Sequence, residues 1–141
     1  MKIERLTLSA DGASRGNPGP AAIGASIKDG QGRVVACISR QIGIATNNQA
    51  EYRALIAGLS EAIRLGASIV DIMLDSELVV RQISGEYRVK NATLKSLLEQ
   101  VRQLTGCLES FTVTHVSSRQ NLAAHRLADV ALRPLAGNNR A

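Results

Sequence analysis

Three acids stand where apolar runs give way to a break: Asp11, Glu51 and Asp75. Asp11 follows Ile3, Leu6, Leu8 and Ala10 and precedes Gly12, Gly16, Asn17, Pro18, Gly19 and Pro20. The apolar alternation predicts a strand, and the Gly/Pro cluster predicts its end. A carboxylate at the tip of a buried strand is costly unless a cation or a partner neutralises it. A turn acid capping its own backbone gives the same local pattern, so the other acids decide. Asp75 closes the apolar run Ser68 to Asp75, and Glu51 falls in the first turn of a predicted helix. If the strands carrying Asp11 and Asp75 are neighbours, their tips bring both acids together, and Glu51 reaches the same rim. Three converging carboxylates repel one another, so such a site requires bound cations or raised pKa values. Hard oxygen ligands favour Mg²⁺ or Mn²⁺ over zinc. Two such ions roughly 3.5–4 Å apart can activate a water and stabilise the leaving oxygen in phosphodiester cleavage.

The elements that must position these acids are legible in the pattern. Ala22 to Lys28 alternates and ends at Asp29-Gly30, and a second run follows from Arg33 to Gln41. A tight Asp-Gly turn between apolar runs signals a hairpin, so the first three strands form an antiparallel meander. Thr46 to Glu51 opens a helix, with Asn47 or Asn48 as the cap and Glu51 where a capping box places its acid. Ala54, Leu55, Ala57, Leu59, Ala62, Ile63 and Leu65 recur at helical spacing before Gly66. Ser68 to Asp75 reads as a central strand, and Ser76 to Ser84 as a short helix stopped by Gly85. Thr93 is placed to cap a helix through Leu94, Leu97, Leu98, Val101 and Leu104, ended by Gly106. Phe111 to Val116 alternates as a fifth strand. Asn121 to about Leu132 forms a last helix, broken by Pro134. The order is βββαβααβα. A strand–helix–strand step requires a parallel portion beside the meander. The expected fold is α/β: a five-stranded mixed sheet, three strands antiparallel plus two parallel, with helices on both faces.

A chain of 141 residues with 45% hydrophobic residues fits one domain, read as residues 1–135 with a frayed tail at 136–141. With no Trp, one Phe and two Tyr, its core must be aliphatic. No apolar run is long enough to span a bilayer and no signal-peptide pattern opens the chain, so a cytoplasmic protein without membrane contact, a monomer, is expected. Cys37 and Cys107 lack metal-ligand spacing and read as two buried thiols rather than a disulfide. The net charge of +5 suits a polyanionic partner. Acids clustered within a basic chain are what a metal-dependent nuclease needs: positive surface for phosphates and a negative centre for cations.

Four segments, in this order and on these elements, resemble the type 1 ribonuclease H family. They are DGASRGNPGPAAIG (Asp11 to Gly24), TNNQAEYRALIAGL (Thr46 to Leu59), LDSELVV (Leu74 to Val80) and NLAAHRLADVA (Asn121 to Ala131). The resemblance implies a ribonuclease H-like fold and metal-dependent cleavage of the RNA strand of an RNA–DNA hybrid, leaving 5′-phosphate and 3′-hydroxyl ends. It implies metal-binding, catalytic roles for Asp11, Glu51 and Asp75, with two Mg²⁺ or Mn²⁺ ions. It also implies that Gly12, Ser14 and Asn47 lie along the RNA strand, with Glu77 where the family often has Gln. Asn17, Thr46 and Asn48 are then near the substrate backbone, Asn17 and Thr46 as candidates for a DNA-phosphate pocket. Small residues and backbone donors can read 2′-hydroxyls in a shallow minor groove without reading bases.

The pattern departs from the family in its last helix. In the family's N-x-x-A-D-x-L-A-x-x-A pattern, Asn121, Ala124, Leu127, Ala128 and Ala131 fit without a gap, and His125 stands in the Asp slot. Sliding one turn puts Asp129 there instead, at the cost of the Leu-Ala pair. His125 and Asp129 share a helix face. As a neutral imidazole His125 would bind Mg²⁺ more weakly than a carboxylate and favour Mn²⁺. The loop Ser117 to Gln120 lacks the mobile His of some members, with Arg119 as a partial substitute. Only Tyr87 to Asn91 stands where other members carry a basic protrusion, so the chain resembles the compact subtype that lacks it. Two alternatives stay open: a hybrid-binding module with weak or no turnover, and a related nuclease acting on other nucleic acids.

Overall fold

The computed structural model describes residues 4–133. Its elements are β1 (Arg5–Ser14), β2 (Gly19–Lys28), β3 (Val34–Ala45), α1 (Asn47–Arg64), β4 (Ile69–Leu74), α2 (Glu77–Ile83), α3 (Ala92–Thr105), β5 (Ser110–His115) and α4 (Leu122–Leu132). A single 3₁₀ turn, Arg119–Asn121, leads into α4. The strand order is β3-β2-β1-β4-β5. The β1–β2 and β2–β3 pairs are antiparallel, and β1–β4 and β4–β5 are parallel. This is the mixed sheet that the sequence predicts.

Period-two alternation sorts the side chains of β1 between two helical layers. Leu6, Leu8 and Ala10 are buried with Val70 and Ile72 of β4 in one aliphatic core. Gly58 of α1 is pressed against Leu8, which places α1 on that face. Gly24 pairs with Asp11 across the β1–β2 ladder, so both belong to the opposite face. A Cβ on Gly24 would collide with the backbone of Ala124 and Ala128, so α4 lies directly on the sheet there. Ser39 Oγ donates to the Leu127 carbonyl at 2.6 Å and Gln41 Nε2 to the Ala131 carbonyl at 3.1 Å, which ties α4 to β3.

Local details differ from the sequence reading, each for a physical reason. β1 does not stop at Asp11: its ladder to β2 continues to Ser14 opposite Ala21, while its ladder to β4 stops at Ser9 opposite Met73. Asp11 therefore lies where two neighbouring strands part. β4 alternates between buried and half-buried positions. Its second face carries Asp71, which accepts from Arg5 Nε and from Thr112 Oγ1, both at 2.8 Å. The cap of α1 is Thr46, not Asn47 or Asn48, and the reciprocal residue of its capping box is Gln49, not Glu51. Glu51 is turned into the protein instead. Asn91 rather than Thr93 caps α3, accepting from Leu94 N at 3.0 Å. Cys37 and Cys107 are free thiols but exposed, not buried. Cys37 lies on the sheet-edge strand β3, and Cys107 just beyond the end of α3. The predicted tail 136–141 and Pro134 lie outside the described residues.

Candidate active site

The parting of β1 and β4 opens a cleft at the sheet's centre, and the acids collect in it. Oxygens of Asp11, Glu51 and Asp75 all lie within 4.8 Å of one another. Asp11 comes from β1, and Asp75 from the residue immediately after β4. Glu51 comes from the first turns of α1, carried over the β1 backbone. Gly12 makes that approach possible, because a Cβ there would collide with the backbone of Ala50 and Glu51. The Gly12 N–H donates to Glu51 Oε1 at 3.1 Å and orients the carboxylate.

The electrostatics follow from burial and crowding. Asp11 is only 7% exposed. Burial, then a hydrogen bond and the charge of Asp11, push Glu51 up to about 8, against the opposing Gly12 N–H. Asp75 is raised by burial and by Asp11, and held down in part by its own backbone, the Asn121 amide and His125. Crowded, buried carboxyls whose charged forms are disfavoured are stabilised by a bound cation. Three converging oxygen donors fit a hard divalent ion, with Asp11, Glu51 and Asp75 as its holders.

The α4 wall settles where the last-helix candidates sit. His125 Nδ1 lies 3.0 Å from Asp11 Oδ2. Asp129, one turn further on, is exposed, lies 3.8 Å from Arg133 in an ion pair, and is not brought to the acids. Arg119, Asp11, Asp75 and His125 line one open cleft of about 430 Å³. A larger hollow of about 510 Å³ lies between β3, α1 and α3, away from the acids. The chemistry of the lining, and not the volume, locates the site.

The Gly/Pro turn is tied to the start of α1. Asn47 N donates to Asn17 Oδ1 and Ser14 N to Asn47 Oδ1, each at 3.0 Å. Ser14 Oγ donates to the Ala45 carbonyl at 2.8 Å. Asn17, Thr46 and Asn48 border a polar hollow of about 290 Å³ beside this junction, with Asn91 on its far side. Glu77 opens α2, is exposed, and pairs with Arg81 at 2.8 Å. The sequence reading missed the part played by Asn121. Its side chain is 1% exposed, and its Nδ2 donates to the Ala10 carbonyl at 2.9 Å. The signal was present, since Asn121 opens the same NLAAHRLADVA segment and stands at the cap position of the helix that carries His125.

The mixed sheet and the carboxylates at its central cleft define a ribonuclease H-like domain. The chain belongs to the reverse transcriptase-like family, which matches residues 9–131. It is 43% identical over 129 residues to the bifunctional protein Rv2228c of Mycobacterium tuberculosis, covering 91% of this chain and 35% of that protein. The solved N-terminal RNase H domain of Rv2228c, a maltose-binding-protein fusion, matches with a TM-score of 0.89 at 42% identity, over 92% of this chain and 99% of that one. Ribonuclease HI of Halobacterium salinarum is 43% identical over 122 residues, 86% of this chain and 61% of that protein. LC11-RNase H1, solved in complex with an RNA/DNA hybrid, matches with a TM-score of 0.86 at 36% identity, over 90% of this chain and 96% of that one. The chain thus spans about a third of the mycobacterial relative's length.

Proposed function

We propose that this chain is a ribonuclease H: a metal-dependent endonuclease that cuts the RNA strand of RNA–DNA hybrids. The observation that carries the reading is the convergence of Asp11, Glu51 and Asp75 at the parting of β1 and β4. The relatives named ribonuclease HI and the hybrid-bound LC11 structure support the substrate class. When bound, two Mg²⁺ or Mn²⁺ ions supply an activated water and a Lewis acid for the leaving 3′ oxygen. The attack breaks the P–O3′ bond and leaves 5′-phosphate and 3′-hydroxyl ends. Asp11, Glu51 and Asp75 hold the ions, and the contact with Asp11 favours His125 over Asp129 as the fourth member.

The protein's other groups orient the hybrid. Gly12, Ser14 and Asn47 form the wall for the RNA strand, where backbone donors and small side chains approach 2′-hydroxyls. Asn17, Thr46 and Asn48 around the polar hollow take the DNA-strand phosphate. Glu77, paired with Arg81, borders the RNA side. Arg119 faces the cleft as a cation for the phosphate backbone. The reading includes one domain over residues 1–135 and a cytoplasmic monomer, which size-exclusion chromatography and cell fractionation check. Among the described residues no helix is long and apolar enough to cross a membrane.

The decisive experiment incubates folded protein with an end-labelled RNA–DNA hybrid across a titration of Mg²⁺ and of Mn²⁺. Cleavage of the RNA strand alone is expected, stronger in Mn²⁺. Tight hybrid binding without cleavage in either metal would replace the enzyme reading with that of a binding module. Cleavage of duplex RNA or DNA in preference to the hybrid would replace the substrate.

A further inference from the structure

Asn121 is a fully buried polar group outside the acid cluster. It is 1% exposed, and its Nδ2 donates to the Ala10 carbonyl, the residue immediately before Asp11. That carbonyl lies just past the end of the β1–β4 ladder, whose final pair is Ser9 with Met73. The side chain thus satisfies an acceptor at the point where β4 leaves β1. Its own Oδ1 is buried and accepts from no protein group. A buried amide with an orphaned oxygen is unfavourable for folding alone. An apolar side chain would avoid that orphan but leave the Ala10 carbonyl without its donor, so the contact with β1 is what an asparagine supplies here. In the first turn of α4 that follows, His125 meets the Asp11 carboxylate at 3.0 Å, so the cap residue and the helix contact β1 at adjacent points.

We propose that Asn121 is a positioning residue of the active site: its amide occupies the fork between β1 and β4 and fixes the β1 backbone so that Asp11 and Asp75 stand at an ion-binding separation. Asn121 touches neither the ions nor the substrate on this account. It acts through the two carboxylates.

The inference rests on the reading of the three acids as a divalent-ion site, and the test separates the two. Wild-type chain, Asn121→Ala and Asn121→Ser are titrated with MnCl₂ by isothermal calorimetry at a temperature well below each melting point, with hybrid cleavage measured in parallel. For folded Asn121→Ala, Mn²⁺ affinity is expected to fall about tenfold or more and kcat to fall similarly, with KM for the hybrid within about twofold. Asn121→Ser, which keeps a short donor, is expected to recover part of both. Wild-type Mn²⁺ affinity in folded Asn121→Ala would overturn the positioning role while leaving the metal site intact. Failure of the wild type itself to bind Mn²⁺ would overturn the metal site and this proposal with it. If neither variant folds, Asn121 is a folding residue and the proposal is refuted.

Discussion

Glu51→Gln tests the electrostatic account most directly, because it should raise stability while destroying function. The substitution keeps the shape of the side chain and the oxygen that accepts from the Gly12 N–H. It removes the charge that burial and Asp11 make unfavourable. Glu51 is pushed from 4.5 up to about 8 in the metal-free protein. A carboxyl raised on folding favours the folded state fully below its unfolded pKa, and that advantage is lost as pH rises through the folded value. At pH 7 the folded protein must therefore hold a proton that the unfolded chain has released. At about 1.4 kcal/mol per pKa unit, this costs the wild type at most roughly 3 kcal/mol. Glutamine has no such cost, so metal-free Glu51→Gln should be more stable by about 1–3 kcal/mol, or roughly 3–10 °C in Tm for a chain of this size. The gain should vanish near pH 4.5, widen as pH rises, and level off above about 8. Thermal unfolding in EDTA across pH 4.5–9 measures it. Equal or lower stability at pH 7–8, or a gain that does not change with pH, would refute the reasoning. The same variant should lose hybrid cleavage by roughly 100-fold or more, the expected trade of function for stability at a strained site.

Three further outcomes follow from the same geometry. Asp11→Asn and Asp75→Asn should each reduce hybrid cleavage below about 1% of wild type while binding the hybrid at least as tightly in EDTA, read by a cleavage assay and by anisotropy; wild-type rates in either would refute the site. His125→Ala should weaken Mn²⁺-dependent cleavage by roughly tenfold and Asp129→Ala by less than about twofold, because His125 meets Asp11 and Asp129 pairs with exposed Arg133; the reverse ranking would restore Asp129 as the fourth position. Metal affinity should rise with pH up to about 8, because the ions displace the proton on Glu51; calorimetry in buffers of different ionisation enthalpy detects the released protons, and affinity independent of pH would contradict the account.

Much of this protein is written locally. The alternation of Leu6, Leu8 and Ala10, the helical spacing from Ala54 to Leu65 and the stops at Gly66 and Gly85 act over a few residues, and they yield the order βββαβααβα. Asp11, Glu51 and Asp75 could be singled out because each stands where an apolar element meets a break, a property of neighbours in the chain. The caps were misplaced because several residues near each helix start can accept the same N–H, and the geometry of the turn selects among Thr46, Asn47 and Asn48. The fates of Glu51 and Asn121 depend on contacts 39 and 111 residues away, with Gly12 and Ala10. Pattern cannot show that β1 pairs onward with β2 after β4 has left it, nor that α4 presents His125 to Asp11 and leaves Asp129 to solvent. Residue type and spacing alone determined the elements and the identity of the three acids. Only the tertiary structure decided which helix face meets the fork between β1 and β4, because that depends on close packing of α4 on Gly24 across a sheet whose strands are far apart in sequence.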